Sequence, residues 1–151
     1  MGRFKRQHGF TVLEILLVIV AIGLLATIIF STIAGVRRNQ RNQERRRDIQ
    51  DVYQQLEAVY VDNTKYPTLS QLNDPNWRAI NMKTLSKESL RDPSSKSYLL
   101  VATPTKNAYS YQVTAADGSA CDNITKPCAH YTLTATLEGN NQPPFIKSSL
   151  N

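Results

Sequence analysis

Residues 15–30 read ILLVIVAIGLLATIIF, an apolar run interrupted only by Gly23 and Thr27, and the chain stays uncharged through residue 36, 22 positions in all. At about 1.5 Å per helical residue, that length spans the roughly 30 Å hydrocarbon core of a bilayer. After Asp48 the pattern changes. Ile49, Val52, Tyr53, Leu56, Val59 and Tyr60 recur at i, i+3, i+4, i+7, i+10 and i+11, the spacing of one helical face. No Pro interrupts residues 1–66, so one helix is expected from Phe10 to about Val61, half membrane-spanning and half amphipathic. Asn63-Thr64-Lys65-Tyr66-Pro67 supplies the polar turn and the Pro that end it. Gly23 and Gly35 mark places where such a helix could bend, each costing about 1 kcal/mol relative to Ala.

Beyond the turn the periodicity is weaker. Asn73-Asp74-Pro75 reads as a helix start, Asp as cap and Pro at the first position, leading a short helix that carries Trp77, Ile80 and Leu85 and tucks Trp77 against the long helix. Three strands are then predicted. Residues 97–103 form a compact apolar run; Tyr109, Tyr111, Val113 and Ala115 alternate with polar neighbours; Tyr131, Leu133, Ala135 and Leu137 do the same. The tail after Glu138, with Gly139, Pro143 and Pro144, reads as extended and loosely held. The expected fold class is α+β: a long helix whose stripe covers one face of a small antiparallel sheet.

The formal charge of +6 suggests nucleic acid until its distribution is followed. Arg3, Lys5 and Arg6 give +3 in residues 1–9, and Glu14 gives −1. Residues 37–48 hold six Arg against Glu44 and Asp48, a surplus of four, and the nine basic and nine acidic residues after 48 cancel. The globular part is neutral, and the charge lies in two patches flanking the apolar run.

Three kinds of membrane segment compete. A secretory signal peptide would be cut after Thr32-Ile33-Ala34, yet its apolar region usually spans only about 7–15 residues. A plain single-pass anchor meets a different conflict: with six Arg after the run and three basic residues before it, the positive-inside rule would keep the C-terminal part in the cytoplasm. The third follows from Gly9-Phe10-Thr11-Val12-Leu13-Glu14, preceded by a basic leader and followed by the apolar run. This combination resembles the prepilin signal of type IV pilins and type II secretion pseudopilins. The phrase LEAVYVDNTKYP at residues 56–67 is similar to the helix end of the same family, so the resemblance covers roughly the first 67 residues.

The resemblance implies a leader of residues 1–9, a transmembrane half-helix 10–36, an amphipathic half 37–62 and a globular head 63–151. It implies that a prepilin peptidase cuts between Gly9 and Phe10 and methylates the Phe10 amine, and that Glu14 takes part in assembly. It further implies insertion in the inner or cytoplasmic membrane, with the head outside the cytoplasm. Polymerisation with copies of itself or other pilins would follow, into an extracellular type IV pilus for motility, adhesion, DNA uptake or secretion. The alternatives are a periplasmic pseudopilus of a type II secretion system or a minor pilin. A further alternative is a single-pass binding protein that never polymerises.

Glu14 has a physical reading of its own. A carboxylate at the centre of a membrane helix costs on the order of 2.5–3.5 kcal/mol, and no Lys, Arg or His lies in the run to pair with it. Near the helix start the dipole favours it. Once the chain is cut, the amine of Phe10 is a cation at the same depth, and a neighbouring copy's amine is the natural partner.

Arg37, Arg38, Arg41 and Arg45 fall within one sector of about 100° on the helix. They read as a basic collar with packing contacts; lipid phosphates, filament salt bridges and nucleic acid are the other readings. Nucleic acid is not favoured, because no stacking aromatics are interleaved.

Cys121 and Cys128 are the only cysteines, and in an exported domain they are expected to form a disulfide worth roughly 2–3 kcal/mol. A zinc site with His130 would lack a fourth ligand, and Asp117 with Asp122 are too few for Ca²⁺, so no metal and no cofactor is expected. Asn123-Ile124-Thr125 matches a glycosylation sequon. No catalytic motif occurs, and an enzyme is not expected.

Overall fold

The computed structural model describes residues 10–150. The leader, with Gly9 of the expected cleavage junction, lies outside the described residues. Contacts divide the chain into two units, Met1–Arg37 and Arg38–Asn151.

Helix α1, Val12–Asn63, crosses the boundary between them. Among the described residues it is the one helix long and apolar enough to cross a membrane: its best 18-residue window has a mean hydropathy of 3.0 and is wholly unburied. Leu13, Leu17, Ile19 and Leu24 are all exposed, as lipid-facing side chains would be. The helix assignment is continuous through Gly23 and Gly35, where an added Cβ would meet nothing within 4 Å.

In the second unit α1 presents the expected stripe. Ile49, Val52, Leu56 and Val59 are buried, flanked by half-buried Tyr53 and Tyr60. They pack on Tyr109 and Tyr111 of β1, Tyr109–Thr114, and on Tyr131, Leu133 and Ala135 of β2, His130–Ala135. The strands are antiparallel, with Tyr111 opposite Leu133. Beyond α1, Thr64 takes a left-handed φ of 56° and its N–H bonds the Tyr60 carbonyl at 2.7 Å, which closes the helix before Pro67. Glu57 then accepts hydrogen bonds from Tyr66 at 3.1 Å and Tyr131 at 2.7 Å, tying turn, helix and sheet together.

Two short helices follow. In α2, Leu69–Asn73, Thr68 forms a capping box with Gln71; α3, Pro75–Asn81, is capped by Asp74 as its sequence predicts. Trp77 packs against the core, whereas Ile80 is 70% exposed and Leu85 lies beyond the helix end. A 3-10 turn, Lys87–Leu90, brings Leu90 into the core.

The sheet differs from expectation at both edges. Residues 97–103 form no strand: only Val101 bridges Ser110. The Asn73 amide accepts from the Leu100 N–H and donates to its carbonyl, both at 2.9 Å, which removes the groups a strand would need there. The third strand is instead β3, Phe145–Ser148, in the tail expected to be loose, paired antiparallel to β2 with Phe145 opposite Ala135. It is anchored on α1, since the Arg46 guanidinium lies 4.9 Å from the Phe145 ring centroid and the Lys147 ammonium 5.1 Å from that of Tyr53.

Candidate functional site

At the start of α1, Thr11 caps the helix. Its hydroxyl accepts from the Glu14 N–H at 3.2 Å, while Glu14 Oε2 accepts from the Thr11 N–H at 2.7 Å and from its hydroxyl at 3.0 Å. This reciprocal pair is a capping box, legible in the sequence as Thr-x-x-Glu. Glu14 Oε1 has no hydrogen-bond partner among the described residues. Phe10 precedes the cap and is 85% exposed.

The four arginines of the collar sector differ in burial and partners. Arg37 and Arg38 are exposed, but Arg45 is buried. Its Nε and Nη2 donate to the two Asp92 carboxylate oxygens at 2.7 and 2.9 Å, and Nη1 lies 2.7 Å from Glu138 Oε1. Glu138 also receives both nitrogens of an Arg41 fork, with Nε at 2.8 Å. The Asn42 amide clasps the Glu138 backbone in both directions at 2.9 Å. The hydrogen bonds of Arg41, helped by Arg45, hold the Glu138 carboxyl down at about 2 against partial burial. Arg41 and Arg45 therefore fasten the helix to the loop at Asp92 and to the chain leaving β2, because a buried guanidinium needs paired carboxylates. Arg45 is closed off from solvent, whereas the Arg41 side chain stays about a third exposed, 35%, beside its pairing with Glu138.

A second buried contact joins helix and sheet. The Tyr109 hydroxyl donates to Asp48 Oδ2 at 2.6 Å. Burial pushes the Asp48 carboxyl up to about 6; the Tyr109 hydrogen bond opposes this, and the neighbouring charges of Glu44, Asp51 and Asp92 add to it. Sequence reasoning missed Asp48, Glu57, Asp92 and Glu138. The one available signal is that Asp48 adjoins the first residue of the apolar stripe.

Cys121 and Cys128 form the expected disulfide, with Cα atoms 5.2 Å apart. Asn123, at φ 61°, pins the loop from inside: its amide donates to the Tyr66 carbonyl at 2.7 Å and accepts from the Cys128 N–H at 2.9 Å. The nitrogen a glycan would need is thus engaged. Asp122 accepts from the N–H groups of Ile124, Thr125 and Lys126, and Asp117 from Ser119 and, at 3.0 Å, from the Lys126 ammonium. Both acids hold turns, and no group of three or more metal-ligating side chains occurs among the described residues. His130 opens β2.

The fold is α+β and pilin-like, a long N-terminal apolar helix with a three-stranded antiparallel sheet. A family profile described as the prokaryotic N-terminal methylation motif matches residues 4–30. The type II secretion system core protein G of Escherichia coli strain K12 is 30% identical over 127 residues, 78% of this chain and 88% of that protein. The core protein G of Dickeya chrysanthemi is 39% identical over 67 residues, 44% of each chain, and that of Aeromonas hydrophila 36% over 67 residues, 44% of this chain and 47% of that protein. The match thus spans less than half the length of these last two relatives. No solved structure matches. The chain belongs to the type IV pilin and type II secretion pseudopilin family.

Proposed function

We propose that the chain is a structural subunit of a type II secretion pseudopilus, and not of a motility or adhesion pilus. The observation that carries this is the match to the E. coli type II secretion system core protein G over 88% of its length. The surface-pilus reading has support only at the level of the family. The subunit is inserted in the inner membrane with its head in the periplasm, and a prepilin peptidase cuts it between Gly9 and Phe10 and methylates the new amine. Glu14 then works twice. Oε2 caps its own helix through Thr11, and Oε1, which has no partner among the described residues, accepts the Phe10 amine of a neighbouring copy. In a low-dielectric environment that pair offsets the desolvation of both charges, so lateral packing is favoured over isolated subunits.

The arginine block is compatible with an external head. Arg41 and Arg45 are neutralised by Glu138 and Asp92, and Arg46 rests on Phe145, so folding of the head engages half of the six arginines on that side. Deleting the gene and assaying both secreted protein and surface filaments tests the reading. Loss of secretion with surface pili unchanged is expected; loss of pili with secretion intact would contradict it.

A further inference from the structure

Two clefts meet at Arg38, and their chemistry is unused by the function above. One, of about 410 Å³, is lined by Arg38, Lys106, Asn107, Thr136, Glu138 and Asn140, among others. The other, of about 190 Å³, shares Arg38 and Glu138 and continues toward Arg46 and Gln142. Arg38 and Lys106 are exposed, and neither takes an ion-pair or hydrogen-bond partner among the described residues. Arg41 and Arg45 face Asp92 and Glu138, and Arg46, which has no acidic partner among the described residues, is held over the Phe145 ring, so the two cations left here without any partner are Arg38 and Lys106.

The walls are set before any ligand arrives. Asn107 at φ 61° and Asn141 at φ 56° turn the two rim loops, and Gly139 takes φ 129°, where a side chain would be strained and a Cβ would meet Gln142 at 2.9 Å. The Thr136 hydroxyl ties the rims together by donating to the Thr105 carbonyl at 3.1 Å. The cleft floor is the Arg45–Glu138 ion pair, which fixes Glu138 and cancels its charge. Two unpaired cations flanked by side-chain amides suit a phosphate that also carries hydroxyl groups. Arg38 comes two positions after the last residue of the 22-residue uncharged stretch, which puts phospholipid headgroups within reach as the source of that phosphate.

We propose that this cleft binds the headgroup phosphate of an anionic glycerophospholipid, through Arg38 and Lys106, while the subunit is in the membrane. The inference rests on the membrane-spanning reading of α1, and reconstitution tests the two separately. The full chain is placed in phosphatidylcholine nanodiscs without or with phosphatidylglycerol, and the amide resonances of Asn107 and Asn140 are followed. Saturable shifts with phosphatidylglycerol are expected, weakened by about tenfold in Arg38→Gln/Lys106→Gln and retained in Lys83→Gln, a cation outside the cleft. Because Arg38 and Lys106 are exposed, the double variant should keep its remaining resonances. Equal response of wild type and double variant would overturn the proposal. So would shifts with inorganic phosphate but none with phosphatidylglycerol, which make the source a free anion, or shifts that follow protein concentration alone, which give the cleft to a second copy. Failure to enter nanodiscs would overturn the membrane-spanning reading and the proposal with it.

Discussion

Arg45 and Asp92 form a forked ion pair in which both side chains are almost wholly buried, 1% and 2% exposed, although 47 residues separate them in the chain. Removing Arg45 leaves Asp92 a buried charge without its cation, and removing Asp92 leaves Arg45 only the partly exposed Glu138, while replacing both with apolar groups removes the desolvation penalty as well. Asp92→Ala and Arg45→Met are each expected to cost about 3–5 kcal/mol. The double variant Arg45→Met/Asp92→Leu should be more stable than either single one. Denaturant unfolding of the four proteins gives the coupling, and simple additivity would show that the pair does not act as a unit.

Asp48 and Glu138 should move stability with pH in opposite senses. Asp48 rises from 3.8 to about 6 on folding, so its contribution is fully present below about pH 4 and is lost as pH rises through 6. Glu138 falls from 4.5 to about 2, so its contribution is present above its unfolded value and lost as pH falls toward 2. The wild type is therefore expected to melt higher at about pH 5 than at about pH 7. Asp48→Asn keeps an acceptor for Tyr109 and should remove that difference; an unchanged difference in thermal unfolding would assign it to another group.

The disulfide loop depends on Asn123 as well as on its sulfurs. Asn123→Ala deletes the bonds to Tyr66 and Cys128 and leaves a side chain at φ 61° without the local hydrogen bonding that Asn supplies. A loss of about 2–3 kcal/mol is expected, comparable to opening the Cys121–Cys128 bridge. Unfolding curves of Asn123→Ala under oxidising conditions check it, and a change below about 0.5 kcal/mol would mean that the bridge alone holds the loop.

The capping role of Glu14 and the assembly role proposed for it are separated by one substitution. Glu14→Gln can still accept from the Thr11 N–H, so the helix start should survive while the charge facing a neighbour is lost. Processed but unassembled protein is expected. Filaments at wild-type yield from Glu14→Gln would reduce the residue to a helix cap.

The elements legible in the sequence are those fixed by local periodicity or local chemistry. The stripe from Ile49 to Tyr60 repeats over several turns, the Asp74-Pro75 start carries its own cap, and Tyr109 and Tyr131 begin the alternating apolar faces of β1 and β2. What was illegible depends on distant partners. Arg45 lies four residues before Ile49 on the face of the stripe, as Arg47 does not, but its ion-pair partners Asp92 and Glu138 are distant in the chain, and the Arg41–Glu138 contact spans 97 residues. The run at 97–103 has strand composition, yet the Asn73 side chain takes the hydrogen bonds of Leu100. Strand β3 is only four residues long and follows Pro143 and Pro144, so its pairing with β2 leaves almost no periodic trace.

The intact mass and N-terminal sequence of the protein purified from cell membranes distinguish a processed prepilin from a plain anchor or a cleaved signal peptide. A processed prepilin begins at Phe10 with a methyl group on its amine, and that is the expected result. A chain that begins at Met1 or Gly2, or one cut before Gly35, would contradict it.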